Sequence, residues 1–385
     1  MIHADVIVIG AGPAGSTAAA VLARHGLRVL LVDREQFPRD KACGDLIPQR
    51  CFIDLHKIGL VSFDFERFPI DRIVLQGSND LQRTFHLSER QGAGTCVVSR
   101  SSFDHALLQH AVACGAEYRL LNVKGPILDR GQVVGIVGTS GDQVVRYFSP
   151  VVIGADGATS AIARGLGNQQ TRQDQWAVAL RGYVECEEEL DGSLRLAFLD
   201  HLQPGYGWFF PAGKHYANVG IGMRSDFYKR QGRSLRQLLA DYLALPEIAA
   251  YIGPNQVAKL HAWPVPFFSF EKQRVFDGAL LAGDAGGFVH PITAAGIYPA
   301  IATGACAAQA TIAAHAHGDF SQTGLALYDT LWRELLADDF RSAVTANKLA
   351  TVLPHLVSAA LLVAQSAATS SDEAKALLPS SFGKF

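Results

Sequence analysis

Short apolar runs bounded by turns, rather than long apolar segments, organise this chain. Asp5-Val6-Ile7-Val8-Ile9 is a β-branched run that predicts a strand buried on both faces. Ser16 to His25 is Ala-rich and predicts a helix, with Gly26 as its C-cap. Arg28 to Val32 predicts a second buried strand, which ends on Asp33. Arg72 to Gln76 and Thr84 to Leu87 read as extended chain, and Ser102 to Gly115 as a helix. Val151-Val152-Ile153 and Ala279-Leu280-Leu281 are further buried strands. Ala177 to Val184, Leu194 to Leu199 and Ala217 to Met223 predict strands of a separate sheet. The last 70 residues read helical. No run offers about 18 uninterrupted apolar residues, so a membrane-spanning helix is not expected.

Composition narrows the class. The chain has 385 residues, 49% hydrophobic and 18% charged, which excludes wholesale disorder. Lys+Arg is 34 against Asp+Glu 36, so no basic footprint for nucleic acid exists. Six scattered cysteines form no CxxC pair and no zinc spacing, so neither a disulfide framework nor a metal site is expected. Free thiols fit a reducing compartment. The strand pattern begins almost at once after Met1, so no secretory signal is expected. A cytoplasmic location follows.

The chemistry starts at Gly10-Ala11-Gly12-Pro13-Ala14-Gly15, a G-x-G-x-x-G between the first strand and the first helix. Gly10 permits the turn, Gly12 admits a pyrophosphate close to the backbone, and Gly15 lets the helix pack on the strand. Asp33 follows 18 residues after Gly15, near the ~20 expected of an acid that grips a ribose hydroxyl. The helix start supplies free N–H groups. Together these read as a dinucleotide site. Two more strands end in glycine and acid, Gly154-Ala155-Asp156-Gly157 and Gly283-Asp284.

In this order the three motifs resemble those of FAD enzymes with the para-hydroxybenzoate hydroxylase fold. The resemblance implies an α/β chain: a Rossmann-like FAD-binding domain, a β-sheet substrate domain and a helical C-terminal region. It implies a discontinuous FAD-binding domain (1–68, 97–168 and 264–315), a substrate domain (69–96 and 169–263) and a helical region (316–385). It implies that Asp33, with Arg34 beside it, serves the adenosine ribose. It places Asp284 on the ribityl chain, and the helix after Gly296-Ile297 against the pyrimidine ring. Arg100 matches the family arginine near the phosphates and ribityl chain. Ala14, Asp156, Gly157 and Gly283 complete the cofactor set, with Cys43 and Gly44.

Three further segments resemble the geranylgeranyl reductase family. They are Phe37-Pro38-Arg39-Asp40-Lys41-Ala42-Cys43-Gly44-Asp45, Gly205-Tyr206-Gly207-Trp208-Phe209-Phe210-Pro211, and Gly283-Asp284-Ala285-Gly286-Gly287-Phe288-Val289-His290-Pro291-Ile292-Thr293. The resemblance implies reduction of carbon–carbon double bonds of an isoprenoid or similarly apolar substrate by hydride from reduced flavin. It places Cys43 by the flavin, where a thiol can donate a proton or react with the ring; Lys41 and Asp45 are placed to tune it. His290, where the family often has Asn, is a second candidate proton donor or flavin partner. Tyr206 and Trp208 are candidates for the reaction and, with Phe210 and Phe267, for lining an apolar channel.

One departure concerns the pocket. After Thr293 the family usually reads G-E-G or G-G-G, whereas this chain reads Ala294-Ala295-Gly296. Two methyls there put the substrate in question more than the fold. An oxygen-using FAD monooxygenase or oxidase is the alternative function. A flavin halogenase is more remote, since Tyr206 stands where a W-x-W-x-I-P motif needs its first Trp. With no second G-x-G-x-x-G, NAD(P)H or another electron donor is expected as a transient visitor. Leu349 to Ala368 is apolar with Pro354 inside it; it reads either as a helical cap on the pocket or as a surface meeting a membrane or lipid. The membrane reading places the protein on the inner face of the membrane. The oligomeric state is open.

Overall fold

The run Val6–Ile9 lies inside a six-stranded sheet, between Val29–Asp33 and Val151–Gly154, with all four residues buried. The structure is a computed structural model and describes residues 4–77, 82–87 and 94–353. The sheet runs Val275–Phe276, Ala279–Leu281, Val151–Gly154, Val6–Ile9, Val29–Asp33, Glu117–Leu120, parallel except for its first strand. A parallel sheet needs cover on both faces. On one face Val6, Val8, Leu31 and Ile153 pack under helices Pro13–Arg24, Ile297–His317 and Leu327–Leu349. On the other, Ile7, Ile9, Leu30 and Val152 meet Val133 and Ile136 of a three-stranded antiparallel sheet spanning 122–148.

That antiparallel sheet is new relative to the sequence reading. Its pairing is broken by register shifts at Val133/Gly135 and Val137/Gly138, which hide the two-residue period. The helix expected from Ser102 to Gly115 spans Arg100–Ala113 instead. The Ser99 hydroxyl accepts the Ser102 amide at 3.2 Å, and this cap sets the start at Arg100.

A seven-stranded sheet forms the second layer system. Its order is Ala258–Pro266, Trp176–Glu185, Tyr216–Arg224, Gly205–Gly213, Ser193–Phe198, Arg72–Gly77, Gln82–His86. Alternation along its strands sorts two faces. Phe209, Val219 and Ile221 go under helices Leu235–Leu243 and Pro246–Ile252, while Leu75, Leu196, Trp208 and Phe210 occupy the opposite face. Residue patterns over 169–263 predict strands alone, yet these two helices lie among them. The first of these helices carries a capping box, Ser234 with Gln237, which is a readable start signal.

Among the described residues one helix, Ile297–His317, is long and apolar enough to cross a membrane, and 72% of its most apolar window is buried inside the protein. It is the core helix between Pro13–Arg24 and Leu327–Leu349. Most of the apolar stretch 349–368, Pro354 included, lies outside the described residues.

Candidate active site

The glycine loop is built for close approach. A Cβ on Gly15 would fall 1.7 Å from the Gly10 carbonyl oxygen, so only glycine lets the helix start this near the strand end. A Cβ on Gly12 would meet only Arg39 Nη2, at an ordinary contact distance of 3.7 Å. No side chain caps the helix Pro13–Arg24, so its first amides remain available to an anionic group. Asp33 Oδ2 accepts the Ala11 amide at 2.7 Å and Oδ1 the Glu35 amide at 2.9 Å, which ties the second strand to the loop. Ala14 is buried against Gly283. Arg34 is half exposed and pairs with Glu35 at 3.5 Å.

Segment 37–45 crosses from this loop to the large sheet and is pinned by charges. Lys41 Nζ lies 3.1 Å from Asp284 Oδ2. Buried Arg181 donates to Asp40 Oδ1 at 2.6 Å and to the Lys41 carbonyl at 2.8 Å. Arg100 makes a bidentate pair with Asp104 at 2.8 and 2.7 Å, and Arg39 reaches the same carboxylate at 2.8 Å. Burial works to raise the Asp104 carboxyl, but the charge and hydrogen bonds of Arg100, with Arg39 and Lys41, hold it below the usual range. Arg100 is therefore a buried, oriented cation rather than a solvated one.

Asp45 closes the segment. Its backbone is left-handed (φ 65°) and its side chain is buried. The Tyr183 hydroxyl and the Asn218 amide (2.8 Å) both donate to Oδ2. Oδ1 has no hydrogen-bond partner among the described residues. Burial pushes the carboxyl up to about 6, against the pull of Tyr183, Arg181, Asn218 and Arg100. Asn218 also accepts from Trp208 Nε1 (2.9 Å) and donates to the Cys43 carbonyl (2.8 Å), so one amide joins sheet and segment.

A cavity of about 770 Å³ lies between these parts. Lys41 to Leu46, with Arg100, form one wall; Pro13, Asp284 and Pro291 to Tyr298 form another. The apolar face of the large sheet, with Leu75, Leu196, Tyr206, Trp208 and Phe210, closes it, beside Trp263 and Phe267. The Tyr206 hydroxyl donates to the Thr293 carbonyl at 2.6 Å, and burial raises its phenol. Gly44 packs on the Phe210 ring. Gly296 caps helix Ile297–His317, whose first residue, Ile297, lines the cavity. Ala294 there is left-handed (φ 53°), a conformation that favours glycine. Phe268 and Phe270 pack with Phe288, Trp332 and Phe340 in the core under the parallel sheet.

Two of the expected residues bond chiefly to the backbone around them. His290 does not line the cavity. Its Nδ1 accepts the Ile292 and Thr293 amides (3.3 and 3.1 Å), and Nε2 faces Asp339 at 3.8 Å. It shapes the turn 290–295. Asp156 is likewise turned to structure, accepting from Ser160 Oγ (2.5 Å) and the Ala161 amide (2.7 Å) at the start of Ala161–Gly165. Burial raises its carboxyl, opposed by those bonds. Asp156 and Gly157, like Gly10, Gly12 and Asp33, lie outside the cavity lining.

Asp104, Arg181, Tyr183 and Asn218 were not singled out in the sequence. Asp104 was readable as the i+4 partner of Arg100. The others sit on strands whose alternation marks burial but not the partner, more than 130 residues away in the chain.

Uncapped helix start, uncrowded Gly12, tethered Asp33 and Asp284 at the cavity edge fit an extended dinucleotide with its redox ring in the cavity. Residues 3–337 match the FAD binding domain family. The chain is 31% identical over 360 residues to digeranylgeranylglycerophospholipid reductase 1 of Methanopyrus kandleri, covering 91% of each chain. It is 31% identical over 362 residues to menaquinone reductase of Mycolicibacterium smegmatis, covering 91% of this chain and 85% of that one. The crystal structure of a geranylgeranyl bacteriochlorophyll reductase-like protein from Thermoplasma acidophilum superposes with a TM-score of 0.81 at 25% identity, over 90% of this chain and 87% of that one. A flavin-dependent brominase shares the fold at a TM-score of 0.75 and 23% identity, over 94% and 92% of the two chains.

Proposed function

The chain belongs to the geranylgeranyl reductase family of FAD binding domain proteins and is an FAD-dependent oxidoreductase; from that premise we propose that it saturates double bonds of an isoprenoid chain borne by a lipid or quinone. FAD, when bound, supplies hydride chemistry. Gly10, Gly12, Ala14 and Gly15 would hold its pyrophosphate, Asp33 its adenosine ribose, and Asp284, Gly296 and Ile297 its flavin end. Arg100, neutralised by Asp104, orients the wall beside Cys43 rather than adding free charge.

A single observation carries the reading: the wall holding Cys43, the wall holding Asp284 and the apolar sheet face holding Trp208 and Phe210 enclose one cavity. An alkenyl chain lying on that face is kept from water and brought against the redox wall. The names of both relatives denote isoprenoid-bearing substrates. Reduction of the flavin is assigned to a visiting donor, NAD(P)H or another carrier. Leu349, Val352 and Leu353 are exposed where helix Leu327–Leu349 ends, which supports delivery of the substrate from a lipid surface on the cytoplasmic side. The test is anaerobic mixing of the reduced protein with a geranylgeranyl lipid. Recovery of oxidised-flavin absorbance is expected; a reduced spectrum that persists until air is admitted contradicts the proposal.

A further inference from the structure

Among the described residues, one cation on the cavity wall has no anionic partner. Five cationic side chains line the cavity: Lys41, Arg50, Arg100, Arg181 and Arg224. Four of them hold carboxylates, Lys41 with Asp284 at 3.1 Å, Arg100 with Asp104 at 2.7 Å, Arg181 with Asp40 at 2.6 Å and Arg224 with Asp226 at 2.7 Å. Arg50 has no carboxylate within ion-pair distance and no hydrogen-bond acceptor among the described residues. We infer that Arg50 binds a phosphate carried on the substrate's alkenyl chain, and so selects anionic alkenyl lipids over uncharged ones. The inference rests on the reductase reading above and narrows its substrate.

Arg50 is the second residue of the helix Gln49–Lys57, which follows the wall segment Lys41 to Leu46. Its guanidinium carbon lies 3.5 Å from the centroid of the Tyr298 ring, which also lines the cavity. Stacking fixes the plane of the fork and leaves its N–H edge available. Nε is shut in without a partner, whereas the two terminal nitrogens are neither shut in nor bonded. Burial lowers the guanidinium's pKa, and Asp339 and Asp54 offset this only from beyond ion-pair distance. A guanidinium stays charged regardless. The wall therefore carries a partly desolvated cation that an anionic ligand would stabilise. The acids that line the cavity are already taken: Asp284 holds Lys41, and Asp45 accepts from Tyr183 and Asn218.

Exposure points to the substrate's head rather than to the dinucleotide. Arg100, Arg181 and Arg224 are buried, but Arg50 is only partly so, which sets its fork where the cavity meets water. An alkenyl lipid lays its chain on the apolar sheet face and keeps its charged head near water. The glycine loop and acid proposed to hold the dinucleotide lie apart from this wall, since Gly10, Gly12 and Asp33 are outside the cavity lining. A planar fork matches two phosphate oxygens at once, which an alcohol or quinone head does not offer.

The test measures equilibrium binding to the oxidised holoprotein, which needs no turnover, with geranylgeranyl diphosphate, geranylgeraniol and inorganic pyrophosphate as probes. Wild type is expected to bind the diphosphate about 10- to 100-fold more tightly than the alcohol, the value of one or two hydrogen bonds to a charged group. Arg50→Met is expected to close that gap, and Arg50→Lys to restore part of it, since a point charge then replaces the fork. Tyr298→Leu, which removes the stacked ring, is expected to narrow the gap, and Tyr298→Phe to keep it. In saturation assays the gap is expected in KM rather than in kcat. Equal affinity of wild type for diphosphate and alcohol, or a gap that survives in Arg50→Met, overturns the assignment and leaves the reductase reading standing. So does inorganic pyrophosphate that binds as tightly as the alkenyl diphosphate, which marks a site for free anions. So does a flavin reduction potential that shifts in Arg50→Met while the gap stays, which marks a flavin contact. Absence of saturation of either alkenyl probe by the reduced wild type overturns the reductase reading, and this assignment with it.

Discussion

Lys41 Nζ sits 3.1 Å from Asp284 Oδ2, an ion pair between residues 243 apart in the chain. It joins the segment bearing Cys43 and Asp45 to the turn after Ala279–Leu281, both of which line the cavity. Asp284→Ala removes the acid proposed to hold the ribityl chain. FAD affinity is expected to fall about 10- to 100-fold, the value of one or two charge-assisted hydrogen bonds. Flavin-to-protein absorbance of the purified variant checks this. Lys41→Met is expected to do less, at most about 1 kcal/mol in stability, since both partners are partly exposed to water.

Gly12 and Gly15 separate binding from folding. A Cβ at Gly15 overlaps the Gly10 carbonyl oxygen, whereas one at Gly12 comes no nearer than 3.7 Å to Arg39. Gly15→Ala is expected to destabilise the fold by about 3 kcal/mol. Gly12→Ala is expected to fold normally yet lose FAD affinity, because its face is the one proposed to receive the pyrophosphate. Thermal unfolding of the flavin-free proteins, set beside flavin titration, distinguishes the two.

The same geometry shows what was readable from residue order. The strand–glycine–helix–strand–acid sequence around Gly10 and Asp33 is local, so spacing alone located it. Trp208 and Phe210 were legible through the resemblance of Gly205 to Pro211 to the family segment, and alternation along the strand sets both on the face opposite Phe209. At His290 and Asp156 the motif shows the residue but not its partners, the neighbouring amides that bond to each. Asn218 was silent because a buried amide on a strand has no local pattern. Its three bonds to Trp208, Cys43 and Asp45 exist only after the chain closes.

Asp45 gives folding a pH dependence of definite sign. Its carboxyl titrates at about 6 when folded and near 3.9 when unfolded. The folded state thus holds the proton more tightly. The contribution is fully favourable below pH 4 and is lost as pH rises to about 6, a change of roughly 3 kcal/mol. Asp45→Asn is expected to lack that slope. Urea unfolding of both proteins from pH 4 to 7.5 measures it, and parallel curves refute it. Asp104, held low by Arg100, acts in the opposite sense, losing its contribution only as pH falls below the usual carboxylate range.

Ala294 occupies a left-handed position on the cavity wall. Ala294→Gly relieves about 1 kcal/mol of backbone strain and adds a similar unfolded-state entropy cost. Unfolding free energy is therefore expected to stay within about 1 kcal/mol of wild type. The lost methyl widens the wall, so a lower KM for bulkier alkenyl substrates is expected; steady-state kinetics with a substrate series checks this.

The central claim is that the flavin wall and the apolar sheet face act together on one alkenyl chain. Mass spectrometry of a geranylgeranyl lipid after anaerobic incubation with the reduced protein tests it most directly. Products heavier by two hydrogens, or multiples of two, are expected. An unchanged lipid under those conditions, with oxygen or halogen incorporated once air or halide is admitted, would contradict it.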